Sequence, residues 1–215
     1  MNKRIYNPRH NPFKVVQMFE EEIAYYTNAP YAIALNNCSN ALFLCCKYLS
    51  IKKVEIPSKT FISVPEMIIH AGGEIIFNKK RNNWRGIYQL FPYPIYDAAK
   101  RFTSRMYIPG TFMCLSFHHK KHLKIGRGGM ILTDNLEAVE WFKRKRYCGR
   151  SEKLIKEESD ITSLGYMMYM YPEDAAKGLH LMQVIPVENK DITENGLGYR
   201  ELTEFSIFKH CEIYV

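Results

Sequence analysis

Residues 31–77 read YAIALNNCSNALFLCCKYLSIKKVEIPSKTFISVPEMIIHAGGEIIF, and the order of elements in this stretch decides the fold. Tyr31-Ala-Ile-Ala-Leu35 has the length and apolar character of a short buried strand. Asn36-Asn-Cys-Ser39 is a polar turn able to cap a helix, and residues 41–49 form an apolar helix. The unit then recurs, with the strand Val54-Glu-Ile56, the loop Pro57-Ser-Lys-Thr60 and a helix over residues 62–71. Gly72-Gly73 stops that helix, and Glu74-Ile-Ile-Phe77 is the next strand. Strands alternating with helices predict an α/β fold, a three-layer and mainly parallel sheet flanked by helices.

The pattern continues on both sides. Residues 13–26 place Phe19, Ile23 and Tyr26 at helical spacing, with Glu20, Glu21 and Glu22 expected to face outward, and Asn28-Ala-Pro30 ends the helix. Downstream, short strands are expected at 86–90, 94–96, 112–117 and 129–133, with helices at 135–146 and 172–182, which brings the strands to six or seven. After Pro186 the periodicity fades, so we divide the chain into residues 1–185, a cofactor-sized α/β domain, and residues 186–215, a C-terminal remnant. No internal repeat or low-complexity segment is found.

The chain has 215 residues, 47% of them hydrophobic and 24% charged, enough to bury one sizeable core. No run of about 18 apolar residues occurs. The start, Met1-Asn-Lys-Arg-Ile-Tyr-Asn-Pro-Arg-His10, lacks the apolar centre of a secretory signal, so we expect no membrane partner and a cytoplasmic setting. Six cysteines without a CxxC pair favour reduced thiols over a disulfide framework and give no support to structural zinc. The formal charge of +8 is unevenly spread: residues 100–150 hold 12 basic and 3 acidic side chains, whereas residues 151–215 hold 6 and 12. A basic band of this kind suits a phosphate-bearing partner, whether cofactor, nucleotide or nucleic acid.

Three features stand where open α/β sheets bind ligands, at the carboxyl ends of strands. The turn Asn36-Asn-Cys-Ser-Asn-Ala-Leu42 offers backbone donors and the Ser39 hydroxyl to an anion, although an ordinary helix cap reads the same way. Ile95-Tyr-Asp-Ala-Ala99 puts an acid at the end of a buried strand, where it serves a ligand or caps a turn. In Leu115-Ser-Phe-His-His-Lys-Lys-His-Leu-Lys-Ile-Gly-Arg-Gly-Gly-Met-Ile-Leu132 a strand runs into a Lys/His loop, a glycine cluster and a second strand. A lysine beside other cations and partly desolvated is a competent Schiff-base former; a solvated basic hairpin loop or a phosphate-backbone patch is the plainer reading.

In this order, the three features resemble the DegT/DnrJ/StrS family of pyridoxal-phosphate sugar aminotransferases, which has the aspartate-aminotransferase type of fold. The resemblance runs from about residue 19 to about residue 182, and its most specific piece is Ser-Phe-His-x-x-Lys-x-Leu-x-x-Gly-x-Gly-Gly. It implies that Lys121, five places after Ser116, forms the Schiff base with pyridoxal 5'-phosphate. It also implies that Ser116 and Ser39, with the backbone around Cys38, hold the cofactor phosphate, and that Phe61 stacks on the pyridine ring. Asp97 would hold the pyridinium proton, keeping the ring an electron sink. Lys100 stands where the family usually has Gln or His near the phenolic oxygen, and its charge would retune the ring.

Other departures bear on mechanism. Only about twenty residues separate Phe77 from Asp97, where the family inserts a further helix. Met167 and Tyr169 replace the Asn and Arg of a family segment whose Asn reaches the neighbouring subunit's cofactor phosphate. Most of the small domain that covers the family's site is missing, which predicts an open cleft. The resemblance implies transamination of a nucleotide-linked keto sugar with a small amine donor, in a homodimer. Two alternatives stay open: decarboxylation or transamination of an amino-acid-modified nucleotide or nucleic-acid base, of viral type, reached through the basic band, and a non-catalytic relic of the fold. Residues 143–146 (KRKR) are read as a solvated helix end placed favourably against the helix dipole.

Overall fold

A computed structural model of the chain describes residue 11 and residues 13–152, 160–192 and 198–214. The helices are α1 (Lys14–Thr27), α2 (Cys38–Tyr48), α3 (Ser63–His70), α4 (Leu136–Lys145) and α5 (Pro172–Met182). The strands are β1 (Tyr31–Leu35), β2 (Lys53–Pro57), β3 (Glu74–Asn78), β4 (Tyr88–Gln89), β5 (Ile95–Asp97), β6 (Phe112–Ser116), β7 (Gly129–Thr133) and β8 (Glu212–Tyr214). None of the described helices is long and apolar enough to cross a membrane.

The sheet is mixed, which corrects the mainly parallel expectation. One sheet runs β1-β7-β6-β5-β4 and the other β2-β3-β8. The β5–β6, β2–β3 and β3–β8 pairs are parallel, whereas β1–β7, β6–β7 and β4–β5 are antiparallel. The reason is in the connections: no crossover helix stands between β4 and β5 or between β6 and β7, and strands joined directly return antiparallel. Two hydrogen bonds between Glu55 and Phe91, of 2.7 and 3.1 Å, stitch the two sheets together. Through these pairings β1, β2, β5 and β6 all run the same way. Their carboxyl ends therefore meet at one edge, which is what the site requires.

Alternation along the strands sorts side chains into two cores. Ile33, Leu35, Phe112, Cys114 and Ile131 face α2, α3 and α4, while Ala32, Ala34, Met113, Leu115, Met130 and Leu132 face α1 and α5. Each fully buried Leu, Ile or Phe contributes about 1.5–3 kcal/mol, so both helical layers are held by the same strands. In the C-terminal segment, Leu202 and Phe208 enter the first core, and β8 lies against β3 at the sheet edge, where Glu212 pairs with Lys53.

The charged residues of α1 and α4 differ from expectation. Glu20 is buried rather than outward, because Arg146 is buried too, at 2% exposure, and the two form an ion pair. Strand β1 is an edge strand of the five-stranded sheet, so half of its backbone groups have no ladder partner. Glu20 accepts from the Ala34 N–H at 2.8 Å, and Arg146 donates to the Ala34 carbonyl at 2.8 Å and to Glu152 at 2.8 Å. The ion pair seals that edge. Arg146 is thus internal, and residues 143–146 do not form one solvated basic run.

Candidate functional site

The strand ends open into a cavity of about 420 Å³. Every residue singled out for a ligand role lines it: Cys38, Ser39, Phe61, Asp97, Lys100, Ser116 and Lys121. They arrive from separate elements, which only the sheet brings together.

Helix α2 begins at the cavity because Asn37 caps it, its side chain accepting from the Asn40 N–H at 2.7 Å. The first-turn N–H groups and the positive end of the helix dipole suit an anion there. Ser39 and Ser63 hydroxyls share a 2.6 Å hydrogen bond across the same wall, tying α2 to α3. Gly129 is required at the entry to β7: a Cβ there would lie 2.4 Å from the Asn37 carbonyl carbon and 2.5 Å from the Cys38 nitrogen. That approach holds the loop between β6 and β7, and with it Lys121, against the α2 N-terminus. Gly128, at φ +114°, supplies a backbone that other residues rarely adopt.

Lys121 is placed by its own loop, its N–H donating to the His118 carbonyl at 2.8 Å. Burial, followed by the charges of His119, Lys121 and Lys120, pulls His118 below its ordinary pKa. Phe61, 54% exposed, lines the cavity just before α3.

Asp97 ends β5 in the cavity wall at 6% exposure. Its Oδ1 accepts from the Ala99 N–H at 2.9 Å and its Oδ2 from the Tyr88 hydroxyl at 2.8 Å. Burial pushes the carboxyl above the usual carboxylate range; the Ala99 N–H, Tyr88, Lys121 and Lys100 pull it part of the way back. Lys100 is also buried, at 4%, its ammonium 4.4 Å from the Tyr199 ring centroid and 5.2 Å from that of Trp84.

Sequence reasoning missed Thr60, Trp84, Tyr88 and Arg127. Tyr88 faces Asp97 through the β4–β5 register, which no local signal reveals. Arg127 lines the cavity and is held by Asp174 at 2.7 Å and by the Tyr171 ring at 4.5 Å; its place in the glycine cluster was the available clue. Ile192 and Tyr199 also line the cavity. The C-terminal segment therefore covers part of a cleft that was expected to be open.

The sequence profile of the DegT/DnrJ/EryC1/StrS aminotransferase family matches residues 10–83 and 104–210. The chain belongs to this family. Its members use pyridoxal 5'-phosphate. Among curated proteins, the chain is 27% identical over 220 residues to the spore coat polysaccharide biosynthesis protein SpsC of Bacillus subtilis, covering 78% of this chain and 56% of that protein. Among solved structures, AtS13 from Actinomadura melliaura superposes with a TM-score of 0.67 at 17% identity, over 80% of this chain and 60% of that one. Helicobacter pylori PseC, an aminotransferase of pseudoaminic acid biosynthesis, gives 0.62 at 17% identity, over 80% and 58%. These superpositions establish the α/β fold. The chain spans less than two thirds of the length of each of these relatives. The matched residues leave out 84–103, the segment that carries Tyr88, Asp97 and Lys100.

Proposed function

We propose that this cavity binds pyridoxal 5'-phosphate and that the chain is an aminotransferase acting on a nucleotide-linked keto sugar. The observation that carries the reading is the convergence of an anion cradle, an exposed aromatic face, a buried carboxylate and a lysine on one cavity of about 420 Å³, the four things this cofactor requires. The residues fit the group. Ser39, Ser116 and the N–H groups at the start of α2 would hold the phosphate, Phe61 would cover one face of the ring, and Asp97 would meet its nitrogen. When bound, the cofactor supplies an electron sink for carbanionic chemistry.

The chain's own residues do the remaining work. Lys121 would provide the amine that anchors the cofactor and a base able to move a proton at the substrate carbon. Asp97 would hold a proton on the ring nitrogen. Lys100, Lys120, Lys121 and Arg127 line the cavity, Arg127 paired with Asp174, and among the described lining residues Asp97 is the carboxylate. This basic wall supports a phosphate-bearing ligand and is the ground for a nucleotide-linked substrate, with a small amine as donor. Self-association is part of the reading: Met167 and Tyr171 are exposed in the segment that, by resemblance, faces a second subunit.

The test is spectroscopic. Adding pyridoxal 5'-phosphate to the protein is expected to produce a visible absorption band, abolished in Lys121→Ala; no spectral change at any pH refutes the reading.

A further inference from the structure

Asp97 is the most consequential carboxylate of the cavity, and it and Tyr88 belong to the stretch 84–103 that the family profile does not match. Its support must therefore be read from this chain alone. Tyr88 and Asp97 are directly opposed in the antiparallel β4–β5 pair, and the Tyr88 hydroxyl donates to Asp97 Oδ2 at 2.8 Å. Behind it, Thr60 Oγ1 lies 2.6 Å from the same hydroxyl. Thr60, Tyr88 and Asp97 are all buried.

A phenol has one proton. If Tyr88 gives it to the ionised Asp97, Tyr88 can only accept from Thr60, so the chain of donors runs from Thr60 to Tyr88 to Asp97 in one direction. Such a run strengthens each bond in it. The carboxylate has about four lone-pair sites, and the Ala99 N–H and Tyr88 use one on each oxygen. Acceptor capacity remains for a donor in the cavity. Burial disfavours the ionised form of Asp97, and protonation would turn one of its acceptor sites into a donor; the directed phenol opposes this.

We propose that Tyr88, oriented by Thr60, is the positioning residue of Asp97: it fixes the carboxylate plane and holds it ionised, so that its free lone pairs meet a protonated heteroaromatic nitrogen. The proposal rests on the cofactor reading above for the identity of that nitrogen, and on the β4–β5 register for everything else. Other groups that bear on Asp97 are Lys100 from the turn after β5, Lys121 from the loop after β6, Cys114 from β6 and Cys38 from α2. Among the described residues, Tyr88 donates a side-chain hydrogen bond to Asp97, and Lys121 and Lys100 act on it through their charge.

The experiment uses the full chain and two variants, Tyr88→Phe and Thr60→Val, with folding checked by circular dichroism. The Asp97 carboxyl is titrated by NMR in protein carrying ¹³C-labelled aspartate and no cofactor, and affinity for pyridoxal 5'-phosphate is measured separately by absorbance. Tyr88→Phe is expected to move the Asp97 midpoint upward and to weaken cofactor binding by about tenfold, the scale of a hydrogen bond to a charged group. Thr60→Val is expected to shift both the same way by less. A folded Tyr88→Phe protein with an unmoved Asp97 midpoint overturns the proposal; should that variant fail to fold, an unmoved midpoint in Thr60→Val does the same. Wild-type protein that takes up no pyridoxal 5'-phosphate removes the cofactor reading, while the midpoint still scores Tyr88 by itself.

Discussion

Two buried carboxylates, Glu20 on α1 and Asp97 at the end of β5, are treated in opposite ways. Glu20 faces Arg146, whose guanidinium also reaches Glu152 and the Ala34 carbonyl. Burial pulls that guanidinium down, but the two carboxylates more than restore it, and its pKa lies above the ordinary arginine value. Asp97 has neutral donors on both oxygens, Ala99 N–H and Tyr88 OH, and its pKa is raised by burial. One cluster closes on itself at a strand edge; the other lines a cavity and is left under-compensated. A buried charge that is fully paired supports the fold. A buried charge kept short of a counter-ion, at the wall of a cavity, is disposed towards a ligand.

The contrast is broken most severely at Arg146. Arg146→Ala leaves Glu20 buried without its partner and the Ala34 carbonyl without its donor, and should cost about 3–5 kcal/mol, roughly 10 °C in Tm for a chain of this size, by thermal denaturation. A loss under about 1 kcal/mol would mean that the pair does not hold the β1 edge. Asp97→Asn should behave in the reverse sense. It keeps shape and removes an under-compensated charge, so stability at neutral pH stays level or rises, while affinity for pyridoxal 5'-phosphate falls by at least about tenfold with the charge-assisted bond. A large loss of stability in this variant would erase the distinction between the two sites.

The smallest effect is the pH dependence of that difference. Because the folded-state pKa of Asp97 is raised above an unfolded value of about 3.9, the folded protein binds more protons than the unfolded chain between the two values. Its contribution therefore declines as pH rises through that window and stays lost above it. Urea midpoints of Asp97→Asn relative to wild type should move in favour of the variant from about pH 4 towards neutrality; a difference independent of pH would show that Asp97 is not strained by its burial.

Much of this was legible in advance, for reasons that differ by residue. Strands β1 and β7 and helix α5 were located closely because short apolar runs bounded by polar turns and prolines are local signals. Lys121 and Asp97 were found because each lies in a motif at a strand end, and strand ends in such folds collect at one edge. Glu20 was misread because its helical position is compatible with either face, and only the distant Arg146 makes burial tolerable. Tyr88 was invisible because its importance is a cross-strand register, a relation between residues rather than a property of one.

The sequence by itself therefore determined the α/β class, the family and seven of the residues that line the cavity, since each depends on local periodicity or on the order of short motifs along the chain. The tertiary structure decided the mixed strand directions, the partial cover from Ile192 and Tyr199, the sealed β1 edge and the donor chain from Thr60 to Asp97. These depend on which backbone segments lie side by side, and burial and hydrogen-bond satisfaction choose that arrangement over the whole molecule.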